Sequence, residues 1–320
     1  MKDIILDVDT GIDDALALIL AGRLTHALRI VGVTTVAGNV DLATATENTR
    51  AVLGLIGRAD VPVAAGAAGP IARPLRTAPE FHGAGGLGDL DPVALPFPRP
   101  GLLDENAAAF IAREAREHPG EIAVIAAGPL TNLARALELD AAVAGSLAGV
   151  VVMGGAIGVP GNASPVAEAN FFADPEAARA VLSAGLPITL VPLDVTEQVA
   201  IDRPRLDALR RPHAGRHSPV SDFALEILDF YLRACESYGR SAAALHDPLA
   251  VAIAAVPELA DTTPLAVEIP TLDPLTAGQC VVDRRPRSAR RPEPTPNVQA
   301  CLQVLVDPAR QLILGELFSR

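Results

Sequence analysis

Near its start the chain reads "IILDVDTGIDDALAL", and four carboxylates, Asp7, Asp9, Asp13 and Asp14, fall within eight residues between two apolar runs. Acidic side chains in a first helical turn favour the macrodipole and cap free N–H groups. That accounts for one or two of the four. It leaves Asp7 and Asp9, which stand at the end of an apolar strand. At an effective dielectric of 20, two like charges ~4 Å apart repel by about 4 kcal/mol. A hard cation removes that repulsion, and clustered carboxylates with no Cys or His beside them suit Ca²⁺ or Mg²⁺.

Two look-alikes differ in spacing. An EF-hand loop starting at Asp7 needs Gly at its sixth position and Glu at its twelfth; the chain has Ile12 and Leu18 there. "D-x-D" after a strand also resembles the haloacid-dehalogenase phosphotransferases, with Asp7 as nucleophile and Mg²⁺ as cofactor. That family has Thr or Val where Gly11 stands.

The elements that must hold these carboxylates follow a clear rhythm. Ile4–Val8 reads as a strand and Asp13–Gly22 as a helix, then Leu28–Val36 as a strand and Asp41–Ile56 as a helix. Ile122–Ala126, Val150–Met153 and Ile188–Val191 read as further strands beside helical segments. The expected fold class is α/β: an open, mostly parallel, Rossmann-like sheet with helices on both faces. One domain over 1–320 is expected, since no composition shift marks a boundary. Two Gly- and Pro-rich interruptions, 66–101 and 154–170, read as active-site loops, because ligands bind at the carboxyl ends of parallel strands.

Half of the 320 residues are apolar, which suffices for a large core. The net charge is −12 and Lys2 is the only lysine, which argues against nucleic acid and acidic membranes as partners. The basic run Arg284–Arg291 lies among prolines and reads as a solvated loop. Cys235, Cys280 and Cys301 form neither a disulfide framework nor a zinc pattern, and read as buried free thiols. The start has no secretory signal pattern and no apolar run is long enough to span a bilayer. A cytoplasmic protein is expected.

Other polar groups also fall at strand ends or helix starts: "TTVAGN" (34–39), "AAGPLTN" (126–132), "NASPVAEANFFADPEAA" after "VVMGG", and "ALHDPLA" (244–250). Together with "DVDTGIDDA" they resemble the inosine–uridine nucleoside hydrolase family, from Lys2 to about Leu317, including "GQCVVDRR". The resemblance implies that Asp9 and Asp14 bind Ca²⁺, with Asp247 and the backbone carbonyl of Ala127 completing the ligands. It implies that Asp13 and Asn39 hold ribose hydroxyls with Asp247, that Asn162, Glu168 and Asn170 hold the 5′ side, and that Met153 lines the sugar pocket. Asp7 is expected to support the ligands rather than join them. Thr10 stands where the family has Pro, and can hydrogen-bond locally where Pro would stiffen the turn.

His246 is either a helix cap or, by the resemblance, the acid for the leaving base. His82 is a substrate contact or a plain loop histidine. Tyr238, near the end of a helix over Ser221–Tyr238, faces the base or merely packs. His26, His118, His213 and His217 read as surface residues. The implied reaction is calcium-dependent hydrolysis of the N-glycosidic bond of ribonucleosides, with Asp9 as base toward a water opposite the departing base. The alternatives are a calcium-dependent ribosyl-binding protein without turnover, and the phosphotransferase above. A homodimer or homotetramer is plausible by the same resemblance. Neither the base preference nor the oligomeric state is legible.

Overall fold

The apolar run before Asp7 forms the first strand, β1 (Lys2–Val8), whose last five residues are buried. The computed structural model describes residues 1–211, 218–285 and 294–318. The other strands are β2 (Leu28–Thr35), β3 (Val63–Ala65), β4 (Ile122–Ala126), β5 (Gly149–Met153), β6 (Ile188–Val191), β7 (Ala200–Asp202), β8 (Ala242–Ala244), β9 (Ala260–Leu265) and β10 (Val298–Val304). Eight of them make one sheet in the order β3-β2-β1-β4-β5-β6-β10-β9. All neighbours pair in parallel except β9, which runs antiparallel to β10 at the edge. β7 and β8 form a separate antiparallel pair.

This order reverses direction between β1 and β4. In doubly wound sheets that reversal opens a crevice beyond the carboxyl ends of the two strands. Asp7 and Asp9 leave β1 into it, and Ala127 leaves β4.

Helices α1 (Ile12–Arg23), α2 (Leu42–Leu55), α3 (Pro79–His82), α4 (Ala107–Glu117), α5 (Thr131–Leu139) and α6 (Val143–Ser146) occupy the first half. They are followed by α7 (Ala169–Ala173), α8 (Pro175–Leu182), α9 (Leu193–Thr196), α10 (Arg203–Arg210), α11 (Pro219–Ser237), α12 (His246–Ala255) and α13 (Val306–Leu317). The core on one sheet face joins Ile4, Leu6 and Val8 to α1, α11, α12 and α13. The core on the other face joins Ile5, Val124 and Val152 to α4, α5 and α8. α1 and α12 are in contact, and nearly every residue of both is buried. Apolar on all sides, they occupy the interior rather than a half-exposed layer. Their N-termini carry Asp13, Asp14, His246 and Asp247, so the positive ends of two helix dipoles meet the carboxylates.

The three cysteines are free and buried, and His26 and His118 are exposed, as the sequence leads one to expect. His213 and His217 lie outside the described residues, as does the basic run beyond Arg285. Among the described residues, no helix is long and apolar enough to cross a membrane.

Candidate active site

The aspartate motif closes on itself. Asp14 accepts from the backbone N–H of Gly11 through Oδ2 (2.9 Å) and of Asp9 through Oδ1 (3.3 Å), so it caps α1 while fixing the turn. Asn39, just beyond β2, donates its backbone N–H to Asp9 Oδ2 (2.6 Å) and its Nδ2 to Asp14 Oδ2 (3.2 Å). Asp9 is cradled by glycines: a Cβ on Gly38 would lie 2.0 Å from its Oδ2, and one on Gly128 would lie 3.0 Å from its Oδ1. Thr10, where the family has Pro, spends its hydroxyl on Thr49 Oγ1 of α2 (2.6 Å). The tie that holds this turn is therefore long-range, not local.

Asp7 is tied to β2 and α5. Its Oδ1 accepts from Thr34 Oγ1 (2.6 Å) and Asn132 Nδ2 (2.7 Å). From the far end of the chain, α12 brings Asp247 beside Asp13. Asp13, Asp14 and Asp247 each offer one oxygen, all within 4.8 Å of one another. Burial first, and neighbouring carboxylates after it, push Asp9 and Asp247 well above the usual carboxylate range. Burial lifts Asp7, Asp13 and Asp14 to about 6.

Whether these residues fit a cation can be read from their unused atoms. Asp9 Oδ1 and Asp13 Oδ1 are buried and have no hydrogen-bond partner among the described residues. A buried acceptor left unpaired is costly, and more so if charged. The carboxylates lie at close range, and among the described residues no Lys or Arg side chain is bonded to them. All-oxygen donors of this charge suit a hard divalent ion.

The remaining sequence-predicted residues take distinct places. Asn170, on α7, donates Nδ2 to the Ala127 carbonyl (2.6 Å) and to the Met153 carbonyl (3.1 Å), joining the ends of β4 and β5. Met153 is buried there. Glu168 caps α7: its Oε1 accepts from Asn170 N, and its Oε2 accepts from Gly155 N and Phe171 N. Asn162 is exposed and accepts from Ala169 N (2.9 Å). His82, on α3 within 66–101, is buried; its Nδ1 accepts from Ile12 N (3.1 Å) and lies 3.9 Å from Asp13 Oδ1. A loop segment thus brings a histidine to the N-terminus of α1. His246 is buried, with Nδ1 2.8 Å from Thr196 Oγ1.

Tyr238 stands apart from this group. α11 ends at Ser237, so Tyr238 caps the helix beyond its packed face; it is 60% exposed and stacks on Phe81. The tyrosine that packs inward is Tyr231, buried, with its ring stacked 6.0 Å from His82. Its place on the face that also buries Phe223 and Ile227 is the signal that could have found it. Nothing in linear spacing marks Thr196, 50 residues from the histidine it binds.

The family profile for "Inosine-uridine preferring nucleoside hydrolase" matches residues 4–311. The chain belongs to that family. As an inosine–uridine nucleoside hydrolase it is an N-glycosyl hydrolase acting on ribonucleosides. It is similar to a pyrimidine-specific ribonucleoside hydrolase RihA of a Shewanella species, at 40% identity over 286 residues, 88% of this chain and 87% of that protein. It is 38% identical to uridine nucleosidase 1 of Arabidopsis thaliana over 81% of this chain and 75% of that protein. Among solved structures, a plant nucleoside hydrolase, PpNRh1, superposes with a TM-score of 0.91 at 32% identity, covering 100% of this chain and 99% of that one.

Proposed function

We propose that this nucleoside hydrolase is calcium-dependent and prefers pyrimidine ribonucleosides. The observation that carries the calcium reading is the buried carboxylate group at the β1/β4 crevice, with unpaired oxygens on Asp9 and Asp13. Asp9, Asp14, Asp247 and the Ala127 carbonyl would hold the ion, which when bound polarises a water and lowers its pKa. The base preference is drawn from the two relatives named for pyrimidine and uridine cleavage.

Breaking the N-glycosidic bond builds positive charge on C1′ and the ring oxygen and negative charge on the departing base. Asp9, held by Asn39 and with Oδ1 unspent, takes the proton of the attacking water. The anionic floor formed by Asp9, Asp13, Asp14 and Asp247 stabilises the cationic sugar. Asn39 and Asp13 orient the ribose hydroxyls, while Asn170 and Glu168 bound its 5′ side.

His246 faces the base. Burial, with Arg240 and His82 nearby, lowers its pKa to about 3, so at neutral pH the ring is uncharged. Nδ1 is paired with Thr196 Oγ1; in the tautomer in which Thr196 donates to it, the ring proton sits on Nε2 and serves as a hydrogen-bond donor to the leaving base. His246→Ala is therefore expected to cost about 10²-fold in kcat/KM on uridine, within the range of acid–base assistance. A nitrophenyl riboside, whose leaving group is already stable, should be cleaved by the variant nearly as fast as by the wild type. Equal losses on both substrates would assign His246 a structural role.

The function itself is tested by a panel of uridine, cytidine, inosine and adenosine, following free base and ribose reducing ends. Uridine or cytidine should exceed inosine in kcat/KM by roughly tenfold or more, a difference well within what pocket contacts supply. Faster inosine cleavage would refute the base preference. Binding of ribosides with no base released would instead favour the non-catalytic ribosyl-binding reading.

A further inference from the structure

The motifs "GPLTN" and "ADPEAA" hold side chains with no part in the reaction as described. Asp174 is the most constrained of them. It is fully buried, between α7 and α8. Its Oδ1 accepts from Ala177 N (3.0 Å), capping α8. Its Oδ2 accepts from Thr131 Oγ1 (2.7 Å) and from Ile71 N (2.9 Å), the latter 103 residues away. One carboxylate thus ties three segments: the start of α5, the junction behind α7, and the loop that follows β3.

Two of these segments meet a second time. Asn170, four residues before Asp174, donates to the carbonyl of Ala127, four residues before Thr131. The pairs Asp174–Thr131 and Asn170–Ala127 are two rungs between the same two stretches of chain. With both rungs made, α7 is tied at two points to the turn that presents the Ala127 carbonyl. The loop end of the arrangement is pinned beside it, where Arg73 forks onto Glu176 (3.0 Å to each oxygen). At the loop's origin Ala67 N donates to Asn132 Oδ1 (2.8 Å).

We infer that Asp174 is a positioning residue for hydrolysis: it fixes the Ala127 carbonyl against Asn170 and pins the loop over 67–73 to the same frame. The inference rests on the calcium reading above, in which that carbonyl is a ligand. Groups that orient metal ligands from behind typically change metal affinity or activity by 10–100-fold when removed. An Asn at 174 is nearly isosteric but has one acceptor oxygen. It keeps either the α8 cap or the bonds to Thr131 and Ile71, and sets an NH₂ against the other donors.

The test compares Asp174→Asn with Asp202→Asn, a cap of α10 away from the site whose side chain accepts from Arg205 N. Calcium affinity is measured by titration calorimetry on metal-free protein well below the melting temperature, kcat and KM are measured on uridine, and amide exchange is followed over 67–73 and 127–132. Asp174→Asn should weaken calcium binding and lower kcat by about tenfold or more each, and speed exchange in both segments. Asp202→Asn should match wild type in all three while losing some thermal stability. Should Asp174→Asn fail to fold, Thr131→Val removes one rung alone and should show the same pattern at roughly threefold. A folded Asp174→Asn with wild-type kcat and wild-type exchange over both segments overturns the inference. If the wild type binds no calcium, the calcium reading fails separately, and kcat with exchange still decides whether Asp174 positions the turn.

Discussion

Stripping calcium from the protein is expected to abolish ribonucleoside hydrolysis and to lower the melting temperature. The carboxylates of Asp9, Asp13, Asp14 and Asp247 are buried together, without a bonded cationic side chain among the described residues. Without the ion, folding must either bury their mutual repulsion or leave them protonated. The pH dependence of stability exposes that choice. Asp7, Asp13 and Asp14 have folded pKa values of about 6, and burial with neighbouring carboxylates raises Asp9 and Asp247 well above the usual carboxylate range. The metal-free folded state therefore binds more protons than the unfolded chain. Their stabilisation is fully present below the unfolded carboxylate pKa and is lost as pH rises through the folded values.

The buried histidines act in the opposite sense. His82 and His246 titrate at about 4 and about 3 when folded, so they destabilise as pH falls below about 6.5. Five carboxylates outweigh two imidazoles in that window. Above pH ~6.5 the histidines are neutral in both states, and only the raised carboxylates act on the slope. Chelated protein should thus melt at progressively lower temperature as pH rises through about 6, and added calcium should flatten that slope. Binding to the folded state alone also raises stability by mass action. Full turnover in protein shown by metal analysis to be calcium-free would remove the ion from the mechanism.

How much of this arrangement is legible in the sequence depends on how local its causes are. The strands β1, β4 and β6 and the helices α1 and α2 are written in apolar runs and periodicity, and Asp14 in the cap position its spacing gives it. β9 was not legible: its residues "ADTTPL" are mostly exposed and include Pro264, which only an edge strand accommodates. The site was legible where its residues sit at strand ends and helix starts, since a parallel sheet brings those positions to one edge. Asn132 and Asp174 read as ordinary residues near helix starts because their partners lie up to 125 residues away. Tyr231 and Tyr238 are seven residues apart, a spacing that would share one face if the helix ran on. Only the point at which α11 stops separates the buried ring from the exposed one.

The largest substrate discrimination should concern the sugar. Inosine or uridine should be cleaved, while the 2′-deoxy forms should be nearly inert, by about 10⁴–10⁵ in kcat/KM. A site built to bind a hydroxyl rejects an analogue lacking it because its own polar groups are left unpaired. Here those groups are short of partners among the described residues: Asp13 Oδ1 is buried with none, and Asn39 Nδ2 donates to Asp14 Oδ2 at 3.2 Å. A ribose 2′-hydroxyl offers a donor to Asp13 and, in the calcium reading, a ligand to the ion. A deoxyribose offers neither and buries the same carboxylates. The loss should appear mainly in kcat, because contacts to the 2′ and 3′ positions tighten as C1′ becomes cationic. Asp13→Asn should shrink the discrimination by damaging the ribose reaction selectively, since an amide answers the hydroxyl less strongly than a carboxylate does. Comparable kcat/KM for ribo- and 2′-deoxyribonucleosides in the wild type would mean that the aspartate cluster does not hold the sugar, and that Asp13 serves only to fill the N-terminus of α1.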